Sequence, residues 1–256
     1  MHWDFALILA VLGVLVPWLG RRRVGRLLRA IETTKADRLA LYASTVTFQW
    51  FAAAVVLWRA TRRGIDLAQL GLAAPSVPLT ATVSIVLSSL VLVNQIFSLR
   101  RVRTRPEEVK ALLPQLAIRI FPQDDGLERL AFFAVVLTVA ICEEFIYRGF
   151  AQRVLTDWSG GSVAAGILGS AALFAWAHLY QGRRGLLSTF LAGMLFSGVR
   201  AWTASLLPTI VAHFVADLVV GLMAPARFRR AIAELELENE RSKLGAAPGA
   251  SLILHI

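Results

Sequence analysis

The sequence predicts an all-α, polytopic membrane protein of about seven transmembrane helices enclosing an interior polar cavity, on three observations. Of its 256 residues, 57% are hydrophobic, and the mean hydropathy is +0.62. That is too apolar for a water-soluble domain, and the chain is too long for a single anchor. Charge-free runs long enough to cross a bilayer alternate with basic connectors. The ionisable residues that do fall inside apolar runs gather in the back half of the chain. A charge at that depth costs from about 2.5 to more than ~10 kcal/mol, so such groups are usually paired, inward-facing and functional.

The formal charge of +10 would suit nucleic acid, acidic ligands or anionic lipid. Its distribution favours anionic lipid and argues against nucleic acid, because Lys and Arg crowd beside the apolar runs. The only cysteine, Cys142, lies inside a run, so no intrachain disulfide can form.

Residues 5–19 form an uncharged run preceded by Asp4 and followed by Arg21, Arg22 and Arg23. A cleaved signal peptide carries its basic residues in front, so this run is expected to be a retained first span with its N-terminus outside. Residues 39–58 hold no charge over twenty positions and make the second span, and 77–99 the third. Residues 100–128 are strongly charged, and 109–121 within them are expected to lie in the membrane interface. The fourth span runs from about 130 to 155. The fifth (161–181) is rich in Gly, Ala and Ser, which lets helices approach closely. The sixth is 185–199 and the seventh 201–223. From residue 224, arginines followed by glutamates read as a soluble helix with a flexible Gly/Ala/Pro end.

This divides the chain into 1–127 (three spans and a basic connector), a core at 128–223 and a charged tail at 224–256. With the N-terminus outside, twenty-one Lys and Arg lie on the cytoplasmic side, against Arg59, Arg62, Arg63 and Arg200 outside. That asymmetry places the C-terminus in the cytoplasm of a multi-pass protein of a bacterial inner membrane.

The chemistry concentrates in the last four spans. Glu143 and Glu144 are adjacent, and Glu144 shares a helix face with Arg148, four residues on. Phe174 and His178 are also four apart, as are His213 and Asp217. Three helices turning two imidazoles and a free carboxylate into one cavity supply the parts to activate water, with or without a metal. Glu144 is expected to neutralise Arg148. That leaves Glu143 to take a proton from water with help from His178, and His213 with Asp217 to face the substrate carbonyl and its developing oxyanion.

Glu143 lies thirteen residues, ~20 Å of helical rise, beyond the start of its span, whereas His178 is five residues from Arg183. In straight perpendicular helices they would miss each other in depth. A fourth helix that begins below the membrane surface and tilts steeply is the expected remedy.

The segments Glu143-Glu144-Phe145-Ile146-Tyr147-Arg148, Phe174-Ala175-Trp176-Ala177-His178 and His213-Phe214-Val215-Ala216-Asp217 match the patterns EExxxR, FxxxH and HxxxN/D. In this order on successive apolar helices they resemble the CAAX-protease and bacteriocin-processing (CPBP, or Abi) family of intramembrane endopeptidases, over about residues 128–222. The resemblance implies that Glu143 and His178 activate the attacking water and that His213 and Asp217 support the oxyanion. It implies a peptide or protein substrate in the membrane, prenylated in eukaryotic relatives. It leaves open a divalent metal such as zinc, with Glu143, His178 and His213 as ligands, or a metal-free reaction. The alternative from a different class is a non-catalytic immunity or peptide-binding membrane protein using the same cavity, for which Glu143 would be dispensable.

Overall fold

The computed structural model describes residues 2–30, 32–102, 119–123 and 126–245, and no strand occurs among them. Seven long helices follow one another: α1 (Trp3–Arg29), α2 (Lys35–Arg62), α3 (Val77–Val102), α4 (Gly126–Trp158), α5 (Val163–Ala177), α6 (Leu179–Thr203) and α7 (Leu207–Gly245). All but α5 are long and apolar enough to cross a bilayer. The chain is therefore a multi-pass, all-helical protein. Most of the expected interfacial segment, 109–118, lies outside the described residues, as does the end of the tail, 246–256.

Local chemistry explains the irregular points. α1 widens into a π turn at Val11–Leu15, and Pro17 follows. Lacking an N–H, Pro17 cannot bond the carbonyl four residues back, at Gly13. That carbonyl accepts instead from Trp176 Nε1 of α5 at 2.9 Å, which ties the two helices. α2 starts on a capping box: Asp37 N donates to Thr34 Oγ1 at 3.2 Å and Thr34 N donates to Asp37 Oδ2 at 3.0 Å.

Three boundaries differ from expectation. α5 has 15 residues, ~22 Å of rise, so it stops short of a full ~30 Å crossing. Its last apolar residues, Leu179 and Tyr180, belong to the 3₁₀ turn that opens α6. The seventh helix starts at Leu207 instead of residue 201, because Ala204 adopts a left-handed conformation (φ 53°) and Ser205 N donates to Thr203 Oγ1. Hydropathy does not register caps. α7 then continues as one helix through Pro225 into the charged tail.

The front helices do more than flank the back half. Phe5 and Leu12 of α1, and Ala53 and Val56 of α2, share one buried core with Phe145–Val154 of α4 and Phe174 of α5. Two ion-pair clamps fix α1, α2 and α4. Asp4 accepts from both Arg59 and Arg63. At the other end of α2, Arg38 donates twice to Glu128 Oε1, at 3.2 and 2.7 Å, and both side chains are buried.

α4 and α5 are antiparallel, and their register is set by small residues. A Cβ on Gly166 would strike Thr156, and one on Gly169 would sit 2.8 Å from Leu155. Gly149 makes room for the α2–α3 loop: a Cβ there would come 2.8 Å from the Leu70 carbonyl. Gly149→Ala is therefore expected to destabilise the protein by about 1–3 kcal/mol through overpacking. Thermal unfolding in detergent checks this against Gly198→Ala, where a Cβ meets nothing within 4 Å and the melting temperature should hold or rise.

Candidate active site

The site is organised by one fully buried carboxylate. Glu144 Oε1 accepts from Arg148 Nη1 at 3.0 Å and from His213 Nδ1 at 2.9 Å, joining α4 to α7. Neither Glu144 nor Arg148 has any exposed surface. An isolated charge at that depth is costly, so removing one of the three groups leaves the others under-compensated.

The guanidinium carbon of Arg148 lies 3.9 Å from the centroid of the Phe174 ring, with Phe196 farther off at 5.6 Å. A planar cation over an aromatic face gains electrostatic stabilisation that hydrogen bonds do not supply here, because Nε and Nη2 of Arg148 make no hydrogen bond within the described protein. The same ring sits 4.7 Å from His178 and 6.2 Å from His213. Phe174 is thus a packing residue that stands among Arg148, His178 and His213.

α4 is wound as a π helix from Glu144 to Ala151, and Glu143 is the last residue before the wide winding. Wide turns of this kind cluster at functional sites. The two adjacent glutamates part company there. Glu144 points into the ion network, whereas half-buried Glu143 points towards α2, where Oε1 accepts from Gln49 Nε2 at 2.9 Å. No arginine or histidine pairs with Glu143 among the described residues.

His178 ends α5. Its Nδ1 is 2.8 Å from the carbonyl oxygen of Phe174; a carbonyl can only accept, so Nδ1 carries a proton and Nε2 is left out of that bond. His213 is held differently. Its Nδ1 faces Glu144, and its Nε2 lies 3.5 Å from Asp217 Oδ2, a long contact with a half-exposed carboxylate. His213 is therefore oriented chiefly by Glu144, a link between α4 and α7 that no sequence spacing displays.

The depth conflict between Glu143 and His178 disappears in the register of α4 and α5. Phe174 sits level with Arg148 and Tyr147. Because the helices are antiparallel, four residues on along α5 and four back along α4 bring His178 level with Glu143 and Glu144. α4 is 33 residues long, ~50 Å, and starts at Gly126, about one turn before the apolar run. The short α5 ends at the site, with His178 as its C-terminal cap. No direct hydrogen bond or ion pair joins Glu143 to His178 among the described residues.

Two residues escape sequence reasoning. Gln49 is the one amide in the charge-free stretch 39–58, and its mid-span position is the available signal. Tyr180 follows His178 by two residues, its ring 5.7 Å from the imidazole, and it lies in the electrostatic field of Glu143 and Asp217.

The arrangement does not fit a zinc site on Glu143, His178 and His213. Among the described residues no three His, Cys, Asp or Glu side chains gather as a ligand set.

Residues 126–219 match the model of a protein family described as type II CAAX prenyl endopeptidase Rce1-like. The matched segment is Rce1-like. It holds Glu143, Arg148, Phe174, His178, His213 and Asp217, the residues on which the CPBP resemblance rests, and the family points to CAAX-type intramembrane protease activity. No curated protein and no solved structure matches the chain.

Removing the Rce1-like arginine alone should be severe. Arg148→Met leaves Glu144 buried beside His213 only, and about 3–5 kcal/mol of stability should be lost. Arg148→Lys should recover only part, since an ammonium cannot reproduce the planar stacking on Phe174. Pairing Arg148→Met with Glu144→Leu should restore much of the melting temperature, measured by thermal unfolding in detergent.

Proposed function

We propose that this chain is an intramembrane endopeptidase that hydrolyses a peptide bond in a membrane-associated, CAAX-type prenylated peptide, using water activated by Glu143 and His178. The observation that carries this reading is the division of labour between adjacent carboxylates. Glu144 is consumed by Arg148 and His213, while Glu143 keeps only a neutral amide partner. A purely structural acid at this depth would be expected to share the ion pair.

In the proposed reaction a water molecule between Glu143 and Nε2 of His178 loses a proton to Glu143 as its oxygen forms a bond to the scissile carbonyl carbon. His213 donates from Nε2 to the oxyanion, and its 3.5 Å separation from Asp217 leaves that nitrogen weakly committed. As the tetrahedral intermediate collapses, the carbon–nitrogen bond breaks and the proton held by Glu143 passes to the leaving amine. No step requires a metal. A general base of this kind contributes about 10²–10⁴ in rate, and an oxyanion donor about 10²–10³.

The excess of Lys and Arg on one side supports an N-terminus outside and a C-terminus in the cytoplasm, with anionic lipid around the basic connectors.

Purified protein in detergent should cleave a farnesylated CAAX peptide, and Glu143→Gln should slow cleavage by at least ~10² with an unchanged melting temperature. His213→Ala should lower kcat by ~10². Mass spectrometry of the products reads both. Parental rates in Glu143→Gln, or an intact peptide after incubation with the parent protein, would remove this reading. Equal turnover of the unprenylated peptide would remove the prenyl requirement alone.

A further inference from the structure

Gln49 sits midway along α2, the fifteenth of its 28 residues. An amide at that depth in hydrocarbon costs free energy unless it is hydrogen-bonded, so the partner it finds there is informative. Its Nε2 donates to Glu143 Oε1 at 2.9 Å, and both side chains are half-buried. This contact fixes which way the amide faces, because a carboxylate oxygen accepts and only the NH₂ end of the amide donates. Glu143 thereby has one oxygen committed, while Oε2 makes no hydrogen bond among the described residues.

The bond is not what holds α2 to α4. The two helices run parallel, and their register is set twice elsewhere: Arg38 donates to Glu128 Oε1 at 3.2 and 2.7 Å, and Trp50 Nε1 donates to Thr138 Oγ1 at 3.1 Å. From Arg38 to Trp50 is twelve residues, ~18 Å of rise, and from Glu128 to Thr138 is ten, ~15 Å, so one parallel register satisfies both. Farther along, Ala53 and Val56 share the core with Phe145 and Val154. Contacts on both sides of Gln49 therefore keep the helices in place without it.

The kind of donor is a second observation. Elsewhere in the bundle the buried acids meet cations: Asp4 pairs with Arg59 and Arg63, Glu128 with Arg38, and Glu144 with Arg148. Glu143 meets an amide instead. A neutral donor fixes the direction of a carboxylate without cancelling its charge.

We propose that Gln49 is a positioning residue for the reaction: by holding Oε1 it fixes the Glu143 carboxylate so that Oε2 faces the water beside His178. This rests on the endopeptidase reading and adds to it a residue from outside the matched segment 126–219. Orientation of a base against its water is where a displacement of about 1 Å costs the most rate, whereas a bond that merely joined two helices would show its loss in stability.

The test uses the full chain in nanodiscs of phosphatidylcholine and the cleavage of a farnesylated CAAX peptide, with kcat and KM measured separately. Gln49→Met keeps the length of the side chain and removes the donor. Its kcat should fall about tenfold, with KM within ~2-fold and the melting temperature within ~2 °C of the parent. Gln49→Asn, which keeps an amide on a shorter arm, should retain part of the lost rate. Thr138→Val removes the neighbouring α2–α4 bond without touching Glu143, and should leave kcat within ~2-fold. In a Glu143→Gln background, Gln49→Met should cause no further loss, since its effect passes through that carboxylate. A parental kcat in Gln49→Met, an equal fall in Thr138→Val, a further tenfold loss on top of Glu143→Gln, or a melting temperature lowered by more than ~5 °C overturns the positioning role while leaving the endopeptidase standing. A raised KM with unchanged kcat also overturns it, because Gln49 would then bind substrate instead of orienting the base. Absence of cleavage by the parent protein overturns both.

Discussion

Everything at the centre of this molecule depends on the carboxylate of Glu144 being shared between an arginine on its own helix and a histidine on another. With no exposed surface on Glu144 or Arg148, the desolvation of each is offset only by the other, by His213 and by the ring of Phe174. Such a pair does not out-stabilise well-packed apolar side chains of the same volume. What it adds is direction. The bonds at 3.0 and 2.9 Å fix α7 against α4 and set the imidazole of His213, which apolar packing would leave free to rotate.

Committing Glu144 in this way is what makes Glu143 available. Regular α winding alone would set the two acids about 100° apart, close enough for a long guanidinium to serve either. The π segment begins between them, and Gln49 from α2 accommodates the second acid with a neutral donor. Neighbours in sequence thus occupy a charged and an uncharged environment. This is the usual physical route by which one of two carboxylates is kept for proton transfer while the other holds the frame.

The sequence exposed those parts of this arrangement that depend on local spacing. Charge-free runs located most spans, because hydrocarbon thickness sets their length, and the i, i+4 rule placed Glu144 beside Arg148 and His213 beside Asp217. Contacts between distant segments were not legible. The bond from His213 to Glu144 joins residues sixty-nine apart, and its strength relative to the 3.5 Å contact with Asp217 could be learned only from the packing of α7. Gln49 carries no charge, so a search for ionisable groups passes over it. The depth of His178 is misread when α5 is given the length of a full span. The close fit of Gly166 and Gly169 against Thr156 and Leu155, together with an early stop at Ala177, is what sets it level with Glu143.

The family match begins at residue 126, yet the hydrogen-bond partner of Glu143 comes from outside that segment. Gln49 lies on α2, Trp176 is anchored to the carbonyl that Pro17 releases on α1, and Phe5, Leu12, Ala53 and Val56 pack into the same core as the motif helix. A back half alone would present the three motifs with Glu143 lacking its amide donor and with α5 unsupported on one side. The front helices are therefore part of the frame that surrounds Glu143 and α5.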